Sequence, residues 1–128
     1  MNVLVTGSRE FAHLEMVAMT LEAIQIDRLF VGDARGPDRE AVRVFRRLTG
    51  RKSDIFRADW TRYSRGAGPL RNLEMINAFI TAGGGIVLAF WDGKSPGTRH
   101  CMREAARRGL AVWTLNANLE WTLFEDNR

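Results

Sequence analysis

The residues best able to do chemistry sit in the run Asp92-Gly93-Lys94-Ser95-Pro96-Gly97-Thr98. It follows an apolar stretch, Ile86 to Trp91, and precedes an amphipathic one, Arg99 to Gly109. A glycine-rich turn between a strand and a helix presents backbone N–H groups at a helix N-terminus, where anions and above all phosphates bind. Gly93 and Gly97 would let the backbone approach such a ligand, and Ser95 and Thr98 would add hydroxyl donors. Lys94 would either pair with phosphate or be solvated. The same layout occurs twice more, at Gly7-Ser8-Arg9 after Val3 to Thr6, and at Gly32-Asp33-Ala34-Arg35-Gly36 after Leu29 to Val31. Three turns of one kind suggest one site assembled from three loops.

The elements that must position these turns follow from the apolar periodicity. Strands are expected at Val3–Thr6, Arg28–Val31, Asp54–Ala58, Ile86–Trp91 and Ala111–Leu115. A helix over His13–Gln25 would bury Leu14, Val17, Leu21 and Ile24. A second, over Pro37–Leu48, would bury Val42, Phe45 and Leu48 and stop at Gly50. Asp59 to Gly68 reads as a long polar loop. Pro69 opens a third helix that buries Leu73, Ile76 and Ile80 and ends at Gly83-Gly84-Gly85, and a fourth spans Thr98–Arg108. Strands alternating with helices predict an α/β, Rossmann-like, doubly wound parallel sheet of about five strands, ordered 3-2-1-4-5, with helices on both faces. Strands one and four then flank the switch point, where ligands bind beyond the carboxyl ends. All three glycine turns converge there.

Further candidates follow from that placement. Ser8 and Arg9 leave strand one at the crevice, within reach of phosphate or ribose. Asp38, in the first turn of its helix, either bonds a ribose hydroxyl or complements the helix dipole. Arg71 and Asn72 open the third helix, where a guanidinium can grip phosphate with two bonds. Trp60, Tyr63 and Trp91 are candidates to stack on a base, although Trp91 ends a buried strand and also fits the core. The predicted binding set is thus Gly7, Ser8, Arg9, Gly32, Ala34, Gly36, Asp38, Arg71, Asn72, Trp91, Gly93, Lys94, Ser95, Gly97 and Thr98. No catalytic residue is singled out. His13 and His100 lack metal-ligand spacing, and no cofactor is expected. Cys101 reads as a buried, inert helix residue.

Gly7-Ser8-Arg9, Gly32 to Asp38, Ala58-Asp59-Trp60, Ala67 to Met75, and Gly93 to Thr98 together resemble the YspA-like branch of the SLOG superfamily. These Rossmann-like domains are related to the LOG phosphoribohydrolases and to the DNA-processing protein DprA. The resemblance runs from residue 7 to 98 and implies a nucleotide-type pocket. LOG enzymes carry an arginine followed by lysine where this chain has Arg71 and Asn72. Their glycine loop ends Gly-Thr-x-x-Glu with a catalytic glutamate, whereas here Cys101 holds that place. Cleaving an N-glycosidic bond needs an oriented carboxylate. Glu104 lies nearly one turn further on. Asp33, Asp59 and Asp92 lie at strand ends, and spacing does not choose among them.

The chain has 128 residues, enough for one domain (1–128, with a short tail 116–128). Its 45 % apolar and 27 % charged residues are those of an ordinary globular protein, and no apolar run approaches membrane-spanning length. With no signal-peptide pattern and a lone cysteine, a cytoplasmic protein without disulfides is expected. The net charge of +4 favours an anionic partner. Arg35, Arg39, Arg43, Arg46, Arg47, Arg51, Lys52 and Arg57 cluster, either as a solvated face or as a nucleic-acid patch.

The reading preferred on these grounds is binding, in sensing or sequestration, of a nucleotide or nucleotide-derived phosphorylated small molecule. A hydrolase of phosphoribohydrolase type and a DprA-like single-stranded DNA-binding module are the alternatives. Trp121, Leu123 and Phe124 in the tail suggest a homodimer interface, or else a tail folded over its own sheet edge.

Overall fold

The computed structural model describes residues 1–126. Five strands run parallel: β1 (Asn2–Gly7), β2 (Leu29–Gly32), β3 (Asp54–Phe56), β4 (Gly85–Phe90) and β5 (Ala111–Leu115). A sixth, β6 (Trp121–Leu123), adds antiparallel to β5, giving the order β3-β2-β1-β4-β5-β6. The doubly wound α/β sheet expected from the alternation is therefore present, with one strand more. That strand is the tail: Asn116 accepts hydrogen bonds that turn the chain, and Trp121 pairs with Leu115. The apolar tail residues complete the sheet edge, and Phe124 packs into the core beyond it.

The helices are α1 (Glu15–Glu22), α2 (Pro37–Thr49), α3 (Trp60–Tyr63), α4 (Ala67–Thr81) and α5 (Pro96–Arg107). The central strands are apolar on both sides because each side is covered. Val3, Val5, Val31 and Phe90 face α1 and α2 through Val17, Leu21, Val44 and Phe45. Leu4, Phe30, Val87 and Ala89 face α4 and α5 through Met75, Ile76, Phe79, Cys101 and Met102.

Three local readings change. α1 starts later than expected because Phe11, buried against Phe90 with ring centroids 5.8 Å apart, anchors the segment before it as a loop. Leu14 is left exposed. In α2 the inward residues are Ala41, Val44 and Phe45, with Leu48 exposed; in α4 they are Met75, Ile76 and Phe79, with Leu73 and Ile80 half-buried. A 3.6-residue period tolerates neighbouring stripes, and docking chooses between them. Finally, the expected loop 59–68 is largely helical. The Asp59 carboxylate accepts from the Arg62 N–H at 3.1 Å to cap α3, and a 3₁₀ turn over Ser64–Gly66 leads into α4. Pro69 lies in the first turn of α4, where its missing N–H breaks no helical bond.

β4 begins at Gly85, opposite Asn2 of β1. Its φ is +151°, and a Cβ there would sit 1.9 Å from the Asn2 carbonyl oxygen. Gly85→Ala should therefore lower stability by roughly 3 kcal/mol. Urea unfolding of the variant checks this; an unchanged midpoint would mean that the β1–β4 pair can yield.

Candidate functional site

β1 and β4 pair in register from Asn2↔Gly85 to Gly7↔Phe90, so the loops leaving them start side by side. The Ser8 N–H donates to the Phe90 carbonyl at 2.9 Å and extends that pairing by one residue. Beyond it opens a cleft of about 1120 Å³. Its walls come from the β1–α1, β2–α2 and β4–α5 loops, from the start of α4, and from the α3 segment.

The floor of the cleft carries a buried charged cluster. The Arg71 guanidinium donates through Nη1 to Asp33 Oδ1 at 2.9 Å and to the Phe56 carbonyl at 3.3 Å, and through Nε to Asn72 Oδ1 at 3.0 Å. Its side chain is 13 % exposed. Beside it lies Asp38, 4 % exposed. Asp38 Oδ2 accepts from the Ala34 N–H at 3.2 Å, while Oδ1 has no partner. Burial pushes this carboxyl up to about 7, against the opposing pull of Arg71 and the Ala34 bond and with a further push from Asp33. Gly32 makes the cluster possible. A Cβ there would stand 2.5 Å from Arg71 Nη1 and 2.8 Å from Asp38 Oδ2.

Asn72, also buried, ties α4 to the start of α5. Its Nδ2 donates to the Gly97 carbonyl at 3.3 Å and lies 3.1 Å from His100 Nδ1. Ser95 caps α5 by accepting from the Thr98 N–H, and the Thr98 and Ser95 hydroxyls meet at 3.3 Å. The Gly97 N–H, in the first helical turn, has no intrahelical acceptor. The Ser95 and Thr98 side chains and the α5 N-terminus therefore edge the cleft.

Of the residues the sequence singles out, Gly7, Arg9, Ala34, Asp38, Arg71, Asn72, Ser95, Gly97 and Thr98 line the cleft. Six others do not, and each has a structural task. Ser8 is buried: its hydroxyl lies 3.1 Å from Asp92 Oδ1, accepts the Asp92 N–H at 3.1 Å and reaches Thr98 Oγ1 at 3.4 Å. Gly32 supports the charged cluster from below. Gly36 carries φ +88°, with Arg9 and Ser8 carbonyls just over 3 Å from where a Cβ would be. Trp91 donates its indole N–H to the Ser95 carbonyl at 3.1 Å and packs on the core, outside the cleft lining. Gly93 turns the loop. Lys94 is exposed beside it, its N–H spent on Asp92 Oδ1 at 2.8 Å.

Asp92 in fact consumes the amides that the glycine loop was expected to offer. It accepts from both Lys94 and Ser95 N–H at 2.8 Å. Burial disfavours its charge, but these bonds and the Ser8 hydroxyl outweigh burial and hold its carboxyl below the usual range. Asp59 caps α3 and Asp33 pairs with Arg71. Among the described residues, Asp38 is the carboxylate whose unpartnered oxygen is buried. Cys101 lies fully buried in the α5 core, its thiol pushed up to about 12 by desolvation. No carboxylate stands in its place.

Asp33, Arg35, Arg39, Trp60, Arg65, Pro96 and His100 also line the cleft. Arg39 and Arg65 carried no individual signal, because the first lay in a basic run and the second in an apparent loop. Trp60 is 54 % exposed and packs over Gly68, and Tyr63 lies outside the lining. Much of the basic run is paired elsewhere: Arg43 with Glu40, Arg47 with Glu22, and Arg51 with the Ile26 carbonyl. Among the described residues, no group of three or more His, Cys, Asp and Glu side chains could hold a metal ion, and no helix is long and apolar enough to cross a membrane.

No protein-family signature matches the chain. It is similar to the gene 61 protein of Mycobacterium phage D29, 49 % identical over 59 residues that make up 46 % of this chain and 44 % of that protein. The match thus spans less than half of the relative's length. No solved structure matches.

Asp38 sets a pH dependence of stability. Between 3.8 and about 7 the folded chain keeps a proton that the unfolded chain has released, so stability falls as pH rises through that window. Asp38→Asn removes the penalty. The variant should exceed wild type by roughly 3 kcal/mol at pH 8 and converge with it near pH 4. Parallel urea titrations at the two pH values read this difference.

Proposed function

We propose that this chain is a SLOG-type domain whose cleft binds a nucleotide or nucleotide-derived phosphorylated small molecule. The observation that carries the reading is the meeting of the Asp38 carboxyl, the Arg71 guanidinium and the α5 N-terminus on one cleft. A ribose hydroxyl is a donor suited to the Asp38 carboxyl. The α5 N-terminus, with Ser95, Gly97 and Thr98, suits a phosphate across the cleft. Trp60 offers an exposed face for a base.

Binding rather than turnover is favoured because Cys101, at the place of the catalytic glutamate in the resembling enzymes, is core. The other strand-end carboxylates already have structural partners. A DNA-binding role is less well supported, since many of the arginines in the basic run are paired.

Thermal-shift and calorimetric titration with a panel of ribonucleotides tests the reading, with chromatography of the mixtures to detect turnover. A binding nucleotide should lose about tenfold affinity in Trp60→Ala and at least as much in Asp38→Asn, although the latter is the more stable protein at pH 8. If no ribonucleotide shifts the melting temperature, the reading fails.

The same proposal includes a homodimer. Trp113, Trp121 and Leu123 share one exposed face of the β5–β6 edge, and apolar patches of this kind commonly mark interfaces. Light scattering should give a dimer mass for wild type and a monomer mass for Trp113→Glu. A monomeric wild type at micromolar concentration would remove this part.

A further inference from the structure

The charge on the cleft exceeds what one phosphate needs. Arg9, Arg35, Arg39, Arg65 and Arg71 line it, against the two carboxylates Asp33 and Asp38. Arg71 is matched by Asp33, and Arg35 by Glu10 at 2.9 Å. Among the described residues, Arg9, Arg39 and Arg65 form none of the ion pairs or side-chain hydrogen bonds found elsewhere at the cleft. A phosphate monoester carries at most about two negative charges. The α5 N-terminus and its hydroxyls can already serve one such group.

The placement of Arg39 sharpens the point. It is the third residue of α2, in the first turn, where the helix dipole disfavours a cation. Gly36 lets the β2–α2 loop close on the Arg9 carbonyl, within 3.1 Å of where a Cβ would be. That close approach sets the loop bearing Arg9 against the one that leads into the first turn of α2, which bears Arg39. Arg65, carried by the 3₁₀ turn beyond Trp60, adds a further cation to the lining. The volume, about 1120 Å³, also lies above the roughly 300–1,000 Å³ of ordinary small-ligand sites.

We propose that the cleft is built for a polyphosphorylated ligand, with one phosphate at the α5 N-terminus and at least one more held by Arg9, Arg39 and Arg65. The inference rests on the nucleotide reading for the ligand's organic part but not for its phosphates. A small polyphosphate fits better than a nucleic-acid strand. The unpaired arginines converge on a concave site, whereas Arg43 and Arg47, which would extend a track along α2, are engaged by Glu40 and Glu22.

Calorimetry of the full chain with inorganic phosphate, pyrophosphate and tripolyphosphate at fixed ionic strength tests it without any assumption about the base. Affinity should rise about tenfold or more with each added phosphate. Arg39→Ala combined with Arg65→Ala should flatten that rise while changing phosphate affinity less than about twofold. Both arginines are exposed, so thermal melts of the double variant should match wild type. Equal affinity for the three anions, no binding of any, or a rise that survives in the double variant overturns the proposal.

Mono-, di- and triphosphates of adenosine and guanosine separate it from the nucleotide reading. Graded tripolyphosphate binding with no nucleotide bound leaves the polyphosphate site standing and removes the nucleotide. Nucleotides bound with equal affinity whatever their phosphate count do the reverse. A single-stranded 20-mer that binds more tightly than tripolyphosphate, and is released by the double variant, would assign the arginines to a strand and overturn the proposal.

Discussion

The pairing of β1 with β4 is the constraint on which the molecule depends. These strands are far apart in sequence and meet over six registered residues at the centre of the sheet. Each leads into a helix on a different face, α1 on one and α5 on the other. The two chains therefore diverge at the carboxyl end, and the space between them cannot be filled by either helix. Ser8 converts this divergence into a fixed mouth. It bonds the Phe90 carbonyl through its backbone and Asp92 through its hydroxyl, so the two loops are tied to each other.

Beneath that mouth the domain departs from the economy of its core. Most of the interior is apolar, but Asp33, Asp38, Arg71 and Asn72 share a half-buried to buried patch. Taking several charges from water is expensive and repays itself only when all are bonded. Here one oxygen is not. A fold selected for stability alone would fill the place with an apolar side chain. The cluster is instead held by close backbone geometry at Gly32 and by the Asn72 links to α5. Stability surrendered at one place and supported around it is the pattern that the proposed binding site accounts for.

The glycine loops divide their labour in a way that their composition hides. The loop after β4 uses its amides on Asp92, and so it is rigid before any ligand arrives. Its contribution to the cleft is the capped start of α5. The first turn of α2 contributes a buried carboxylate and an arginine, and the loop after β1 contributes a latch and an arginine. Rigid loops lower the ordering cost of binding.

The sheet, its strand order and its switch point were legible in the sequence because each rests on local periodicity and on the handedness of crossovers. The same holds for Gly7, Arg9, Asp38, Arg71, Ser95, Gly97 and Thr98, since a residue at a strand's carboxyl end or near a helix's start has its place set by topology. What composition could not decide was which polar groups stay free. Lys94, Trp91 and Ser8 have the chemistry of ligand contacts, but nearby Asp92 and Ser95 claim them or their amides. Arg39 was one of a basic run and Arg65 part of a polar loop until the α2 start and the 3₁₀ turn put them on the cleft. Likewise β6 depends on a partner already in place, for three residues cannot form a strand alone. Hydrogen-bond partners and edge pairings are set by distances across the folded chain, and only the tertiary structure decides those.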